Sequence, residues 1–422
     1  MAINKKNTEE FTNMSERLVC LTACLVIVAP SVISLFNSII RAFITLPFKM
    51  DTLFIYLVFL LIFLFSLKTI LNRSTPLIYV VISLLLFGYL ITFMFNSYYY
   101  EYFTNLGVDF LIVSVPWLIV TYAVRDYKIF KKYLYISIVI VMVSFMVNLF
   151  VFGVEMLGGY TYTQQYTYML LPVAIILLDA IYDKKSVINI TLFLVSIIFM
   201  FSMGARGPLV CVILYMLLKN YVTFNFNLKK AVLNSGLLTL ILVPLYVFFQ
   251  DIISYLFTLF QNMNLSTRTI VRLMESSFFE DNARNLLTKY SIDLIKEYPL
   301  IGVGMGKDRM LLADKMGSTN LLAEAVGWYP HNIFLEILLH FGVFIGGAVI
   351  LLMIRVIYIS TFKSNNKDVT DITCIFIGIG FFPLFLAGSY ITSPLFFALM
   401  GICLYQYKHI RAGRKKLISI SF

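Results

Sequence analysis

The chain is 422 residues long, 60% hydrophobic and 16% aromatic, with only 13% charged residues and a mean hydropathy of +0.89. Soluble domains carry about twice that share of charge, so the composition excludes one, and apolar runs that are continuous rather than alternating exclude a β-barrel. The formal net charge of +11 would suggest nucleic acid in a soluble protein, but here topology accounts for the basic residues first, and no nucleic-acid partner is expected.

The expected fold class is all-α: a polytopic integral membrane protein with one long extracytoplasmic helical loop. A span takes about 20 apolar residues, and about 12 transmembrane helices fit the chain. Lys5, Lys6 and Arg17 precede an apolar run at 18–40. It is too long for a cleaved signal and reads as a retained first span, centred near Ile27. Further centres fall near Leu60, Leu85, Val115, Val141, Ala174, Ile197, Ile213, Leu240, Ala348, Gly380 and Leu399. With the N-terminus in the cytoplasm, the short outside loops hold only Arg41, Lys49 and Arg206, and other short segments such as 125–132 and 408–416 collect the basic residues. That alternation follows the positive-inside rule and puts both ends in the cytoplasm. Residues 1–250 then hold spans one to nine, and 251–331 form an extracytoplasmic loop or cap. Residues 332–422 hold spans ten to twelve and a cytoplasmic tail. Cys20, Cys24, Cys211, Cys374 and Cys403 all lie in apolar runs, which fits neither a disulfide framework nor a zinc site.

Polar residues gather outside. Tyr98, Tyr99, Tyr100 and Tyr102 read as an interfacial belt first and a sugar-facing surface second. Gln164 and Gln165 stand at the mouth of the sixth span, either solvated or hydrogen-bonding sugar hydroxyls. Arg206 turns between two apolar runs. It is either an ordinary loop arginine or one that needs an anionic partner, for which a guanidinium matches phosphate oxygens. Arg268 and Arg272 are four apart and share a helix face, either toward headgroups or toward an anionic substrate.

A helix is expected from about residue 282, because Leu286, Leu287, Tyr290, Leu294 and Ile295 recur at helical spacing. Asp281 or Asn282 caps it, Arg284 lies in its first turn and Pro299 stops it. Gly302, Gly304 and Gly306 allow a tight turn, without the strand and Lys-Ser/Thr that a nucleotide loop requires. A second helix opens after His331 with Asn332 as N-cap. Asn332, Glu336 and His340 are spaced by four and stack on one face. Neutral-range chemistry makes His331 the candidate general base, with phosphate orientation as its other role. Glu336 is the candidate assistant or arginine partner, and His340, deeper, reads as structural. No Asp-x-Asp pair exists, and His409 lies in the tail, so neither a metal nor another cofactor is expected.

An arginine, then Pro299-Leu-Ile-Gly-Val-Gly-Met-Gly306, a polar interval, His331-Asn-Ile-Phe-Leu-Glu336 and Phe341-Gly-Val-Phe-Ile-Gly346 together resemble the O-antigen ligase/polymerase family. The shorter Gly204-Ala-Arg-Gly-Pro208 is similar to that family's Ser-Arg-Gly turn, with Ala205 in place of serine. The resemblance implies a membrane glycosyltransferase of the bacterial cytoplasmic (inner) membrane whose active site is extracytoplasmic. Its substrate would be an undecaprenyl-diphosphate-linked oligosaccharide, its setting the lipid bilayer, and its companions a flippase and a chain-length regulator. Arg206 and Arg284, with Arg272 and Arg268, would bind the diphosphate. His331 and Glu336 would be catalytic, and Asn332 and Gln165 would contact substrate. Polymerisation for capsule or O-antigen is the first expectation and ligation to another acceptor the second. A transporter would show inverted repeats, which the sequence lacks.

Overall fold

The computed structural model describes residues 2–43, 50–151, 164–202, 206–224, 249–262, 267, 271, 282–318 and 327–420. Their regular structure is entirely helical. In chain order the helices are α1 (Ala2–Phe43), α2 (Met50–Arg73), α3 (Pro76–Phe95), α4 (Tyr100–Gly107), α5 (Pro116–Tyr122), α6 (Tyr127–Val151), α7 (Gln164–Asp183), α8 (Val187–Ser202), α9 (Arg206–Thr223) and α10 (Phe249–Asn262). They continue with α11 (Asn282–Glu297), α12 (Lys307–Lys315), α13 (Ile333–Phe362), α14 (Lys367–Phe376) and α15 (Pro394–Ile420). A π-helical segment, Val108–Ser114, joins α4 to α5, and another, Ile377–Phe381, follows α14.

Among the described residues 6 helical segments are long and apolar enough to cross a membrane: Met14–Ile39, Pro76–Phe95, Tyr100–Tyr122, Tyr127–Val151, Ile333–Phe362 and Lys367–Phe385. Helices also lie over the expected centres near Leu60, Ala174, Ile197, Ile213 and Leu399, and the centre near Leu240 falls outside the described residues. Large apolar side chains point outward along these helices, as Leu84, Phe87 and Phe95 do on α3 and Phe344 and Leu351 on α13. A surface so apolar faces lipid rather than water.

The chain folds into two compact units, each assembled from segments distant in sequence. One comprises Cys24–Phe65 and Lys128–Glu280. Its buried centre of charge is Asp179 on α7, which is fully buried. Lys219 reaches Asp179 Oδ1 at 2.6 Å, Tyr215 donates to the same oxygen at 2.8 Å, and Lys131 lies 2.9 Å from Oδ2. Opposite charges at these distances offset the cost of taking each out of water.

The other unit comprises Met1–Ala23, Ser66–Tyr127 and Asp281–Phe422. Glu16 on α1 accepts hydrogen bonds from the backbone N–H groups of Arg125 and Asp126, both at 2.8 Å, and pairs with Arg73. One carboxylate thus ties the turns after α2 and α5 to α1. Helix α5 packs closely on α15, where the Thr121 hydroxyl donates to the Ala398 carbonyl at 2.8 Å. This unit carries the glycine turn, α11 to α13 and the histidines.

Candidate functional site

The site is built on a broken helix. α13 runs from Ile333 to Phe362 but is interrupted at Gly342, whose backbone is at φ 73°, ψ 178°. That conformation is open essentially to glycine alone. The break strands backbone groups within an apolar helix, and the segment before α12 takes them up. Val343 N–H donates to the Pro299 carbonyl at 2.8 Å, and the Leu339 carbonyl accepts from Val303 N–H at 2.7 Å. A Cβ on Gly302 would run into the backbone of Leu339 and Gly342, so the glycine turn and the helix break are one fitted pair. The turn is docked further by Thr92 of α3, which accepts from Met305 N–H at 3.0 Å, and by Tyr102 of α4, which donates to the Gly306 carbonyl at 3.0 Å. Non-helical backbone at membrane depth is tolerated where protein satisfies it in this way.

The apolar stripe of α11 buries Leu287 and Leu294 against Leu312 of α12 and Leu339 of α13, with Tyr290, Val303 and Trp328 around them. Packing of α11 on α13 sets the position of Arg284, half-buried in the first turn of α11.

Beneath the break lies a buried polar cluster. His340 Nε2 is 2.9 Å from Asp308 Oδ1, and its Nδ1 is 2.6 Å from the Tyr390 hydroxyl. Burial pushes the Tyr390 phenol well above its ordinary value. It therefore stays a neutral hydroxyl, able either to donate to Nδ1 or to accept from it. Glu336, one turn before His340, accepts from the Ser389 hydroxyl and from Tyr390 N–H at 3.1 Å. Arg309 donates to Ser389 Oγ at 2.8 Å. Asp308, Arg309, Glu336 and His340 are each at most 2% exposed.

Ligand atoms of Asp308, Glu336 and His340 lie within 4.8 Å of one another, a spacing that a metal ion would accept. Asp308 Oδ2, buried without a hydrogen-bond partner among the described residues, is the one point in its favour. Against it, both ring nitrogens of His340 are taken by protein groups, and Arg309 already brings positive charge to the chain of hydrogen bonds. The donor set fits a closed network better than a metal shell.

His331 opens α13 with φ 52°, the one non-glycine residue at positive φ among those described. Its ring packs at a tilt against Tyr329, with centroids 4.2 Å apart. Tyr329 is itself held, its hydroxyl donating to the Ala387 carbonyl at 2.7 Å and its ring lying 5.3 Å from the Arg309 guanidinium. Asn332 is the N-cap, its side-chain oxygen accepting from Phe334 and Leu335 N–H at 3.0 and 3.3 Å.

Residues 191–352 match the family described as O-Antigen ligase. That stretch is similar to the O-antigen ligase family. No curated protein matches the chain.

Of the expected site residues, the matched stretch includes Arg206, Arg268, Arg272, Arg284, His331, Asn332 and Glu336, while Gln165 precedes it. The structure brings His331, Asn332 and Glu336 together at the head of α13 and sets Arg284 on the neighbouring α11. Arg206 begins α9 and Gln165 lies in the first turn of α7, but both side chains lie outside the described residues, as do Arg268 and Arg272 altogether. Sequence reasoning missed Asp308, Arg309, Tyr329, Ser389 and Tyr390. The polar Gly388-Ser-Tyr-Ile-Thr-Ser-Pro394 break between two apolar runs was the one signal available for the last two.

Proposed function

We propose that this chain is a polysaccharide polymerase of the bacterial cytoplasmic membrane. It transfers a glycan from undecaprenyl diphosphate to a hydroxyl of another lipid-linked repeat unit, for capsule or O-antigen, alongside a flippase and a chain-length regulator. One structural observation carries the reading beyond the family match: His331 sits at φ 52° at the head of a broken membrane helix. Strained non-glycine backbone gathers at functional sites, where the surroundings over-determine it.

In this reading His331 takes the proton from the acceptor hydroxyl. The oxygen attacks the anomeric carbon, the bond from that carbon to the diphosphate breaks, and the lipid diphosphate leaves with the electron pair. Arg206 and Arg284, joined by Arg268 and Arg272, hold the diphosphate and offset its charge without a metal. Direct displacement inverts the anomeric centre. Asn332 spends its side-chain oxygen on the cap and keeps its amide N–H groups for substrate, and Gln165 meets a sugar hydroxyl. Glu336 assists His331, and the two hydrogen bonds it accepts also anchor the 389–390 turn. The family's description favours a second reading, ligation of the finished glycan to a different acceptor.

A gel of lipid-linked glycans from cells lacking the chain tests both. Single repeat units without a ladder are expected. A full ladder stranded on the lipid would make the chain a ligase, and repeat units held at the cytoplasmic face would make it a transporter. Purified His331→Ala or Arg206→Ala protein with undiminished transfer would refute the assigned roles.

A further inference from the structure

We infer that Tyr329 is a positioning residue for His331, acting through ring-to-ring contact, and that Arg309 and the Ala387 carbonyl hold it for that task. The inference rests on the catalytic reading of His331 but concerns a different side chain. His331 sits at a positive φ, which is uncommon without glycine, and a ring with a fixed task needs neighbours to hold it. Three contacts converge on the residue two positions before it. The Tyr329 ring meets the imidazole in a tilted contact, at a centroid distance of 4.2 Å and an interplanar angle of 51°. Its hydroxyl is tethered to Ala387 at 2.7 Å. Beside the same ring lies the Arg309 guanidinium, 5.3 Å from its centroid.

Arg309 is in turn immobilised, since it is 1% exposed and donates to Ser389. Ser389 donates to Glu336, and Tyr390, which follows it, is bonded to both Glu336 and His340. The buried cluster therefore reaches His331 by two routes that meet at Tyr329. One runs through the guanidinium and the other through the 387–390 backbone. A cluster this deep does not touch an acceptor hydroxyl, yet it determines where the imidazole above it points. Misplacing a catalytic group by about 1 Å can cost on the order of a hundredfold in rate, so a ring that holds the imidazole contributes to kcat rather than to donor binding.

The test uses the full chain in nanodiscs and lipid-linked repeat units extracted from cells lacking it. Tyr329→Leu removes the ring, and Tyr329→Phe keeps the ring while releasing the tether. The leucine variant is expected to lose about tenfold in kcat with KM within about twofold and an unchanged thermal midpoint, while phenylalanine recovers most of the loss. A purely structural role would instead lower the midpoint and leave the kcat of the folded fraction intact, and that result would overturn the inference. So would a phenylalanine variant as impaired as the leucine one. If leucine prevents accumulation, Tyr329→Met, which fills similar space without a ring, is read in its place against phenylalanine. His331→Ala run in parallel separates the two claims. An inactive alanine variant beside an unimpaired leucine variant sinks only the role of Tyr329, whereas an active alanine variant sinks the reading of the site itself.

Discussion

Gly342 and His331 both sit at positive φ, for different reasons. Gly342 must, because a Cβ there would meet the Leu300 carbonyl and its φ/ψ pair is closed to other residues. His331 does so as a non-glycine, which costs energy and needs neighbours to enforce it. Gly342→Ala is expected to destabilise the protein by roughly 1–3 kcal/mol from the backbone alone, with the collision added. Gly347→Ala, five positions on, where a Cβ meets nothing within 4 Å, is the control. Thermal unfolding midpoints of the two variants in detergent decide the matter, and equal midpoints would mean that the break is not enforced by packing. Asn332 was legible as an N-cap because capping is local chemistry, satisfied two and three residues away. Asp308 and Arg309 were not, because their partners His340 and Ser389 lie 32 and 80 positions along the chain.

Helices were the easiest elements to read, since an apolar run long enough to span forms intrasegment hydrogen bonds wherever water is absent. Their interruptions were not. The run at 333–362 looks continuous in sequence, and the break at Gly342 becomes affordable only when Pro299 and Val303 supply the missing backbone partners. In the other unit, Asp179 illustrates the energetic side of element packing. It joins α7 to α6 and α9 through Lys131 and Lys219, and the two lysine side chains are only 12% and 4% exposed. Asp179→Ala would leave both ammonium groups without this carboxylate, and breaking a buried pair in this way costs roughly 3–5 kcal/mol. The expected outcome is a sharp drop in folded protein recovered by size-exclusion chromatography. Lys131→Met, by contrast, leaves Asp179 paired with Lys219 and Tyr215 and is expected to be milder. Equal recovery of Asp179→Ala and wild type would show that the network contributes little.

At the scale of the whole molecule, charge asymmetry between loops is what assigns sides of the membrane. All 5 cysteines are buried, so an impermeant maleimide should find little to label in the unaltered chain. Lys296→Cys, at a position 73% exposed on α11, is expected to react from outside in spheroplasts. Lys363→Cys, exposed just after α13, is expected to react only after permeabilisation. The opposite pattern would invert the topology and move the proposed active site to the cytoplasmic face.

The sequence by itself determined that this is a helical membrane protein, where most of its helices lie, and which family part of it resembles. These follow from hydropathy and from residues close together along the chain, and local physics suffices for them. Only the tertiary structure decided that the glycine turn closes a broken helix and that Asp308, His340, Tyr390, Glu336, Ser389 and Arg309 join in one buried chain of hydrogen bonds. A buried polar group must find its partner wherever folding brings one. No periodicity along the chain announces a partner that arrives from 50 residues away, as Tyr390 does for His340.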